Sequence, residues 1–138
     1  MKGSKGFSLL ELLVVIAILG ILVAIALPRY FDAVADAKRN AQKTNIAIIR
    51  TSLEYYRNKN NRYPYTSTTS SGSYLNFNDF LKSTGYFSET PTCPYNNATY
   101  SYTDSNPGAN WVNNPEWLVY QVDNEANPKS YTLTYTAP

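Results

Sequence analysis

From Phe7 to Leu27 the chain runs for 21 residues, FSLLELLVVIAILGILVAIAL, in which Glu11 is the only charge and Ser8 the only other polar side chain. A stretch of that length and composition predicts a membrane-crossing helix. About 20 apolar residues at about 1.5 Å each span the hydrocarbon layer, and a helix satisfies its own backbone there. Lys2 and Lys5 lie just before the run, so the positive-inside rule places the N-terminus in the cytoplasm and everything after Pro28 outside. Mean hydropathy over the 138 residues is −0.37 although 43% of them are hydrophobic, so apolar character is concentrated in this segment. The remainder is enough for one compact domain.

Two other readings of the segment deserve comparison. A secretory signal would use Lys2 and Lys5 as its basic region and the small-x-small triplet Ala24-Ile25-Ala26 as its cleavage site. Against it, the apolar run exceeds the 7 to about 15 residues typical of such signals, and Glu11 would sit inside its hydrophobic stretch. In an ordinary single-span anchor Glu11 would be an accident, and that accident is costly. A carboxylate in a spanning helix costs on the order of 2.5 to 3.5 kcal/mol at mid-helix, less toward an end, and such residues usually have a partner. The first basic side chain after Glu11 is Arg29. Cleavage between Gly6 and Phe7 would create an α-amino group four residues before Glu11, one helical turn away. Processing would supply the missing cation.

The string Gly6-Phe7-Ser8-Leu9-Leu10-Glu11, after a short basic leader and before a long apolar run, resembles the class III signal of type IV prepilins and type II secretion pseudopilins. The resemblance covers about the first thirty residues, with a looser likeness along the helix to Tyr63-Pro64. It implies a prepilin peptidase that cuts after Gly6 and N-methylates Phe7. It also implies a filament in which the amine of one subunit meets Glu11 of a neighbour. The implied partners are further copies of the chain, the peptidase, membrane lipid before assembly, and an inner-membrane assembly platform driven by a cytoplasmic ATPase. The implied location is the inner membrane as a single-pass precursor, then a surface filament, or a periplasmic one for a pseudopilin. Gly20 and Pro28 fall where the family commonly has a helix-weakening Gly and a Pro. Each also has a plain reading: Gly20 as a close-packing residue between membrane helices, and Pro28 as a kink or boundary where the helix leaves the lipid.

Residues 29–62 predict a continuation of the helix to about Asn60, with no Gly or Pro from Arg29 onward. Ile46, Ile49, Leu53 and Tyr56 recur at helical spacing, while Arg39, Lys43, Arg50 and Arg57 occupy other faces. From Phe7 to Asn60 such a helix reaches roughly 80 Å. Residues 63–138 predict a globular region. It opens with the Ser/Thr-rich loop Tyr65–Ser73, a conceivable site for O-glycosylation, and continues with a short helix DFLKST capped by Asn76 or Asn78 and ended by Gly85. Runs beginning at Thr99, Trp117 and Tyr131 alternate with period two and predict three or four antiparallel strands. Tyr131, Leu133 and Tyr135 share the face expected to lie on Ile49, Leu53 and Tyr56. The predicted fold is therefore α+β, a long N-terminal helix packed on a small C-terminal antiparallel sheet, divided as leader 1–6, spanning helix 7–28, amphipathic helix 29–62 and globular region 63–138.

Composition narrows the functions. The chain has no His, so the commonest general base and metal ligand are missing, and no nucleotide motif occurs. Cys93 is the single cysteine, so the domain has no internal disulfide of the kind that staples many pilins. Removing Lys2 and Lys5 leaves 10 basic residues (12 − 2) against 10 acidic, which gives no bulk charge for nucleic acid. Thirteen Tyr and two Trp suit a small aromatic core with wet hydroxyls. Asp104, Asp123 and Glu125 are weak candidates for a calcium site of the pseudopilin kind, without a recognisable ligand loop; no cofactor is expected. The leading function is a structural subunit of a type IV pilus used for adhesion, twitching motility or DNA uptake. The alternatives are a type II secretion pseudopilin, an anchored ligand-binding module, and last an anchored enzyme.

Overall fold

The computed structural model describes residues 7–66, 74–103 and 114–135. Helix α1 runs unbroken for 52 residues, Leu9–Asn60, through both Gly20 and Pro28. It stops where Asn61 adopts a left-handed φ of 58°, a conformation that Asn tolerates and β-branched residues do not. The Asn60 side chain donates to Tyr56 O at 2.9 Å and so caps one of the last carbonyls.

The chain forms two compact units, Met1–Ala37 and Lys38–Pro138. In the first, every described residue from Phe7 to Ala33 is exposed. The second unit takes the rest of α1 and buries one stripe of it: Gln42, Ile46, Ile49, Ser52, Leu53 and Tyr56. It contains Ile46, Ile49, Leu53 and Tyr56, the helical-spacing set read from the sequence, adds the polar Gln42 and Ser52, and forms one wall of the domain core.

The short helix α2, Phe77–Leu81, starts earlier and ends earlier than predicted. Asn76 is the cap, its side chain accepting from Asp79 N at 2.8 Å. Asn78 lies inside the helix, and its side chain accepts from Tyr102 N at 2.9 Å. Tertiary packing sets these limits, because Phe77, Phe80 and Leu81 are all buried.

Three strands follow: β1 Ser101–Thr103, β2 Trp117–Val122 and β3 Tyr131–Tyr135, in the order β1-β2-β3. The β2–β3 pair is antiparallel, with Tyr120 opposite Leu133. The β1–β2 pair is parallel, with Tyr102 opposite Leu118, so the sheet is mixed where an antiparallel one was predicted. Thirteen residues separate Thr103 from Trp117, and a parallel pair needs a connection of about a dozen residues or more. On β3 the expected face holds: Leu133 is buried, and Tyr131 and Tyr135 pack against the cluster containing Ile49, Leu53 and Tyr56.

The core is aromatic, and its hydroxyls are drier than expected. Phe77 and Tyr120 stack with ring centroids 4.1 Å apart and planes 5° from parallel. Tyr56 meets Phe80 edge-on at 5.7 Å. Tyr120 OH donates to Pro64 O at 3.0 Å, and Tyr56 OH accepts from Leu75 N at 3.0 Å. These two hydroxyls thus spend their polarity on loop backbone, which would otherwise carry unmet groups of its own, whereas the buried hydroxyl of Tyr100 has no such bond.

Burial pushes the hydroxyls of Tyr56, Tyr100, Tyr120 and Tyr131 above their ordinary range. Burial also raises Tyr63, helped by the Glu54 carboxylate to which it donates at 2.8 Å, to about 12. A phenol whose folded-state value is raised gives stability that is fully present below its unfolded value of about 10 and is lost as pH climbs toward the folded value. We therefore expect cooperative alkaline unfolding to begin above about pH 10, with tyrosinate absorbance rising in step with loss of helix signal. Smooth titration of all tyrosines at their ordinary value, with the fold intact, would contradict the buried cluster.

Candidate assembly helix

At the N-terminal end of α1 an acidic side chain reaches back to cap a backbone N–H. Ser8 N donates to Glu11 Oε2 at 2.9 Å. Ser8-Leu9-Leu10-Glu11 is the S-x-x-E pattern of a capping box, in which the acid three residues into the helix satisfies an otherwise unpaired N–H. This local partner is legible in the spacing, although the expected partner of Glu11 was a full cation. The helix N-terminus also offers partial positive charge. Neither cancels the negative unit on Glu11, so an apolar setting still calls for a counter-charge.

Phe7, Leu10, Glu11, Val14 and Val15 line one small cleft on the helix surface. Phe7 and Glu11, the two residues expected to act in assembly, therefore share a face. Phe7 is 79% exposed, and the large apolar side chains from Leu9 to Leu27 remain 45% to 81% exposed. At about 25 cal/mol per Å2, that much apolar surface demands cover from lipid or from other chains. Gly20 is part of the same surface: a Cβ built there meets nothing within 4 Å, so within one chain nothing requires Gly at this position. Gly6 lies outside the described residues.

The remaining sequence candidates lie in the second unit. Asp123 Oδ1 accepts from Lys129 N at 2.9 Å and Ser130 N at 3.1 Å, bonds that hold its carboxyl below the usual range. Glu125 Oε2 accepts from Thr66 N at 3.3 Å. Asp104 and the Ser/Thr stretch 67–73 lie outside the described residues. Among those described, no group of three or more His, Cys, Asp or Glu could hold a metal ion. Cys93 is fully buried, which raises its thiol. Arg62 was not singled out from the sequence. It is buried, donates to Ala126 O at 3.0 Å, and lies between the rings of Tyr65 and Tyr74 at 4.3 and 4.6 Å. With Lys129 Nζ donating to Asn61 O at 2.7 Å, it ties the β2–β3 loop to the end of α1.

Residues 1–27 match the model of the prokaryotic N-terminal methylation motif, and residues 29–126 match that of type II secretion system protein G. Among curated relatives, a fimbrial protein of Pseudomonas aeruginosa is 43% identical over 54 residues, 39% of this chain and 35% of that protein. The type IV major pilin protein PilA of Myxococcus xanthus is 38% identical over 60 residues, 44% of this chain and 27% of that one. The type II secretion system core protein G of Pectobacterium carotovorum is 39% identical over 62 residues, 45% of this chain and 40% of that one. The matched stretch is thus less than half of each relative's length. No solved structure matches the chain.

Proposed function

The chain belongs to the type IV pilin and type II secretion pseudopilin family, and we propose that it is a structural subunit polymerised through α1 into a type IV pilus after cleavage between Gly6 and Phe7. The family is structural rather than enzymatic. The observation that carries the proposal is the exposed apolar length of α1 with Glu11 and Phe7 on one face. Lipid covers it in the precursor, with the second unit on the outer side, and neighbouring copies of α1 cover it in the fibre. Prepilin peptidase makes the cut and methylates Phe7. A cytoplasmic ATPase acting through an inner-membrane platform drives extraction from the bilayer, where the new amine and Glu11 of another copy neutralise each other. Adhesion, twitching motility or DNA uptake would be functions of the finished fibre.

One observation favours a second reading, a periplasmic pseudopilus: the protein G match extends over residues 29–126 and so includes the globular region. Immunogold labelling of intact cells separates the two. Long labelled surface fibres are expected, whereas label confined to the periplasm would move the protein to the secretion system. The processing step has its own check. Mass spectrometry of the mature chain should find a start at N-methylated Phe7; a start at Leu27 would restore the secretory-signal reading and remove the filament.

A further inference from the structure

An aromatic pair in the first unit remains unused by the filament proposal. Tyr30 and Phe31 are 63% and 60% exposed, and their rings meet edge-on with centroids 6.0 Å apart. They follow directly on Arg29, also exposed, and precede Asp32 and Asp36, so the apolar run gives way to charge at this point of α1. A phenol favours the zone between hydrocarbon and water, with its ring in the oily layer and its hydroxyl in the wet one. A guanidinium beside it can reach lipid phosphate while its stem stays among acyl chains.

Spacing along the helix fits the same zone. The apolar window of α1 is entirely unburied within the chain. The hydrocarbon layer it would occupy is about 30 Å thick, with boundaries about 15 Å from the midplane. With Tyr30 at one boundary, a rise of about 1.5 Å per residue puts Leu19 within about 2 Å of the midplane. Glu11 then lies about 28 Å from Tyr30, close to the other boundary, and Phe7 lies a turn beyond it among the headgroups. Two polar groups bracket this seat. Sliding α1 outward by one turn carries Glu11 about 5 Å into the hydrocarbon, and sliding it inward draws in Arg29 and the Tyr30 hydroxyl, which need polar partners there.

We propose that Arg29, Tyr30 and Phe31 form an anchor for the phospholipid interface on the outer side of the membrane, and that this anchor seats α1 with Glu11 at the opposite boundary. The proposal rests on the lipid-covered precursor of the filament reading and adds its depth. Glu11 thereby stays within reach of water and headgroups for as long as the subunit remains in the bilayer. Its counter-charge from another copy is needed only once extraction moves it into an apolar setting.

The test reads depth in the full chain, reconstituted into vesicles of phosphatidylethanolamine and phosphatidylglycerol in which some lipids carry bromine at a known acyl position. Bromine quenches tryptophan only at close range. The wild-type chain supplies the baseline, since Trp111 and Trp117 both belong to the second unit. Leu19→Trp should be quenched best by bromine near the acyl ends, and more strongly there than Val23→Trp. Tyr30→Trp should be quenched best by bromine nearest the headgroups. Replacing Arg29, Tyr30 and Phe31 together by Ala frees α1 to slide inward by about one turn, or about 5 Å, so Val23→Trp should become the deeper probe of the two. Helix content is measured alongside. An unchanged order in the folded triple variant overturns the anchor. Tyr30→Trp needs no such variant: quenching best at the acyl ends, or none above baseline, overturns the anchor by itself. If Leu19→Trp is not quenched above baseline either, α1 does not sit in lipid and the precursor reading fails with it.

Discussion

Glu11→Gln is expected to abolish fibre assembly while leaving the chain folded, inserted and cleaved. Gln preserves the capping box with Ser8, because an amide oxygen accepts the same N–H, but it removes the negative charge. Two roles that coincide in the wild-type residue are thereby separated. In a fibre built around the apolar face of α1, the amine of a neighbouring Phe7 would be left buried without its counter-charge. Breaking a buried pair in this way costs about 3 to 5 kcal/mol, or roughly two to four orders of magnitude at each subunit contact. Fibres sheared from cells and quantified by immunoblot should fall to background, with membrane-bound Phe7-started subunit accumulating in their place. Glu11→Ala, which removes cap and charge together, should do the same. Wild-type yield from the Gln variant would reduce Glu11 to a helix cap and leave assembly to apolar packing alone.

Phe77→Ala should have the largest effect on the second unit. Phe77 is fully buried, stacked on Tyr120 at 4.1 Å and on Phe80 at 6.0 Å, so its ring joins α2 to the sheet. Removing a buried phenyl group costs about 3 to 5 kcal/mol in lost transfer energy and residual cavity. Small domains have only about 5 to 15 kcal/mol in total, and with a single cysteine this one lacks a covalent staple. Each kcal/mol is worth about 4 to 8 °C in a domain of this size, so the melting temperature of the detergent-solubilised chain should fall by about 12 °C or more. A fall of only a few degrees would mean that the aromatic cluster is not the main support of the domain. Glu11→Gln, by contrast, should leave this melting transition unmoved.

Much of the fold was legible because two periodicities carry it. The stripe Ile46, Ile49, Leu53, Tyr56 could face only one way once α1 was continuous, and it is the buried stripe. The alternation Tyr131, Leu133, Tyr135 similarly named the core face of β3. Less was legible where contacts join distant residues. The direction of β1 relative to β2 has no signature in the residues of either strand. The start of α2 was set by three apolar residues seeking the core, and its cap fell on one of two equally suitable asparagines. Arg62 looked like one more basic residue after a helix, yet lies between two rings supplied by residues 65 and 74.

By itself, the sequence determined the parts whose physics is local or one-dimensional: a run of apolar residues long enough to cross a bilayer, one acid within it, a methylation motif at its start and an amphipathic stripe beyond it. Helical repeat and solvation free energy act on neighbours in the chain, so reading along the chain recovers them. Only the tertiary structure decided how the second unit meets its own polar groups. Tyr120 reaches Pro64, Tyr56 meets Leu75, and Arg62 and Lys129 close the β2–β3 loop. Each of those bonds forms because burial makes an unmet donor or acceptor expensive, and which partner is near enough to meet it depends on where the folded chain has brought the two together.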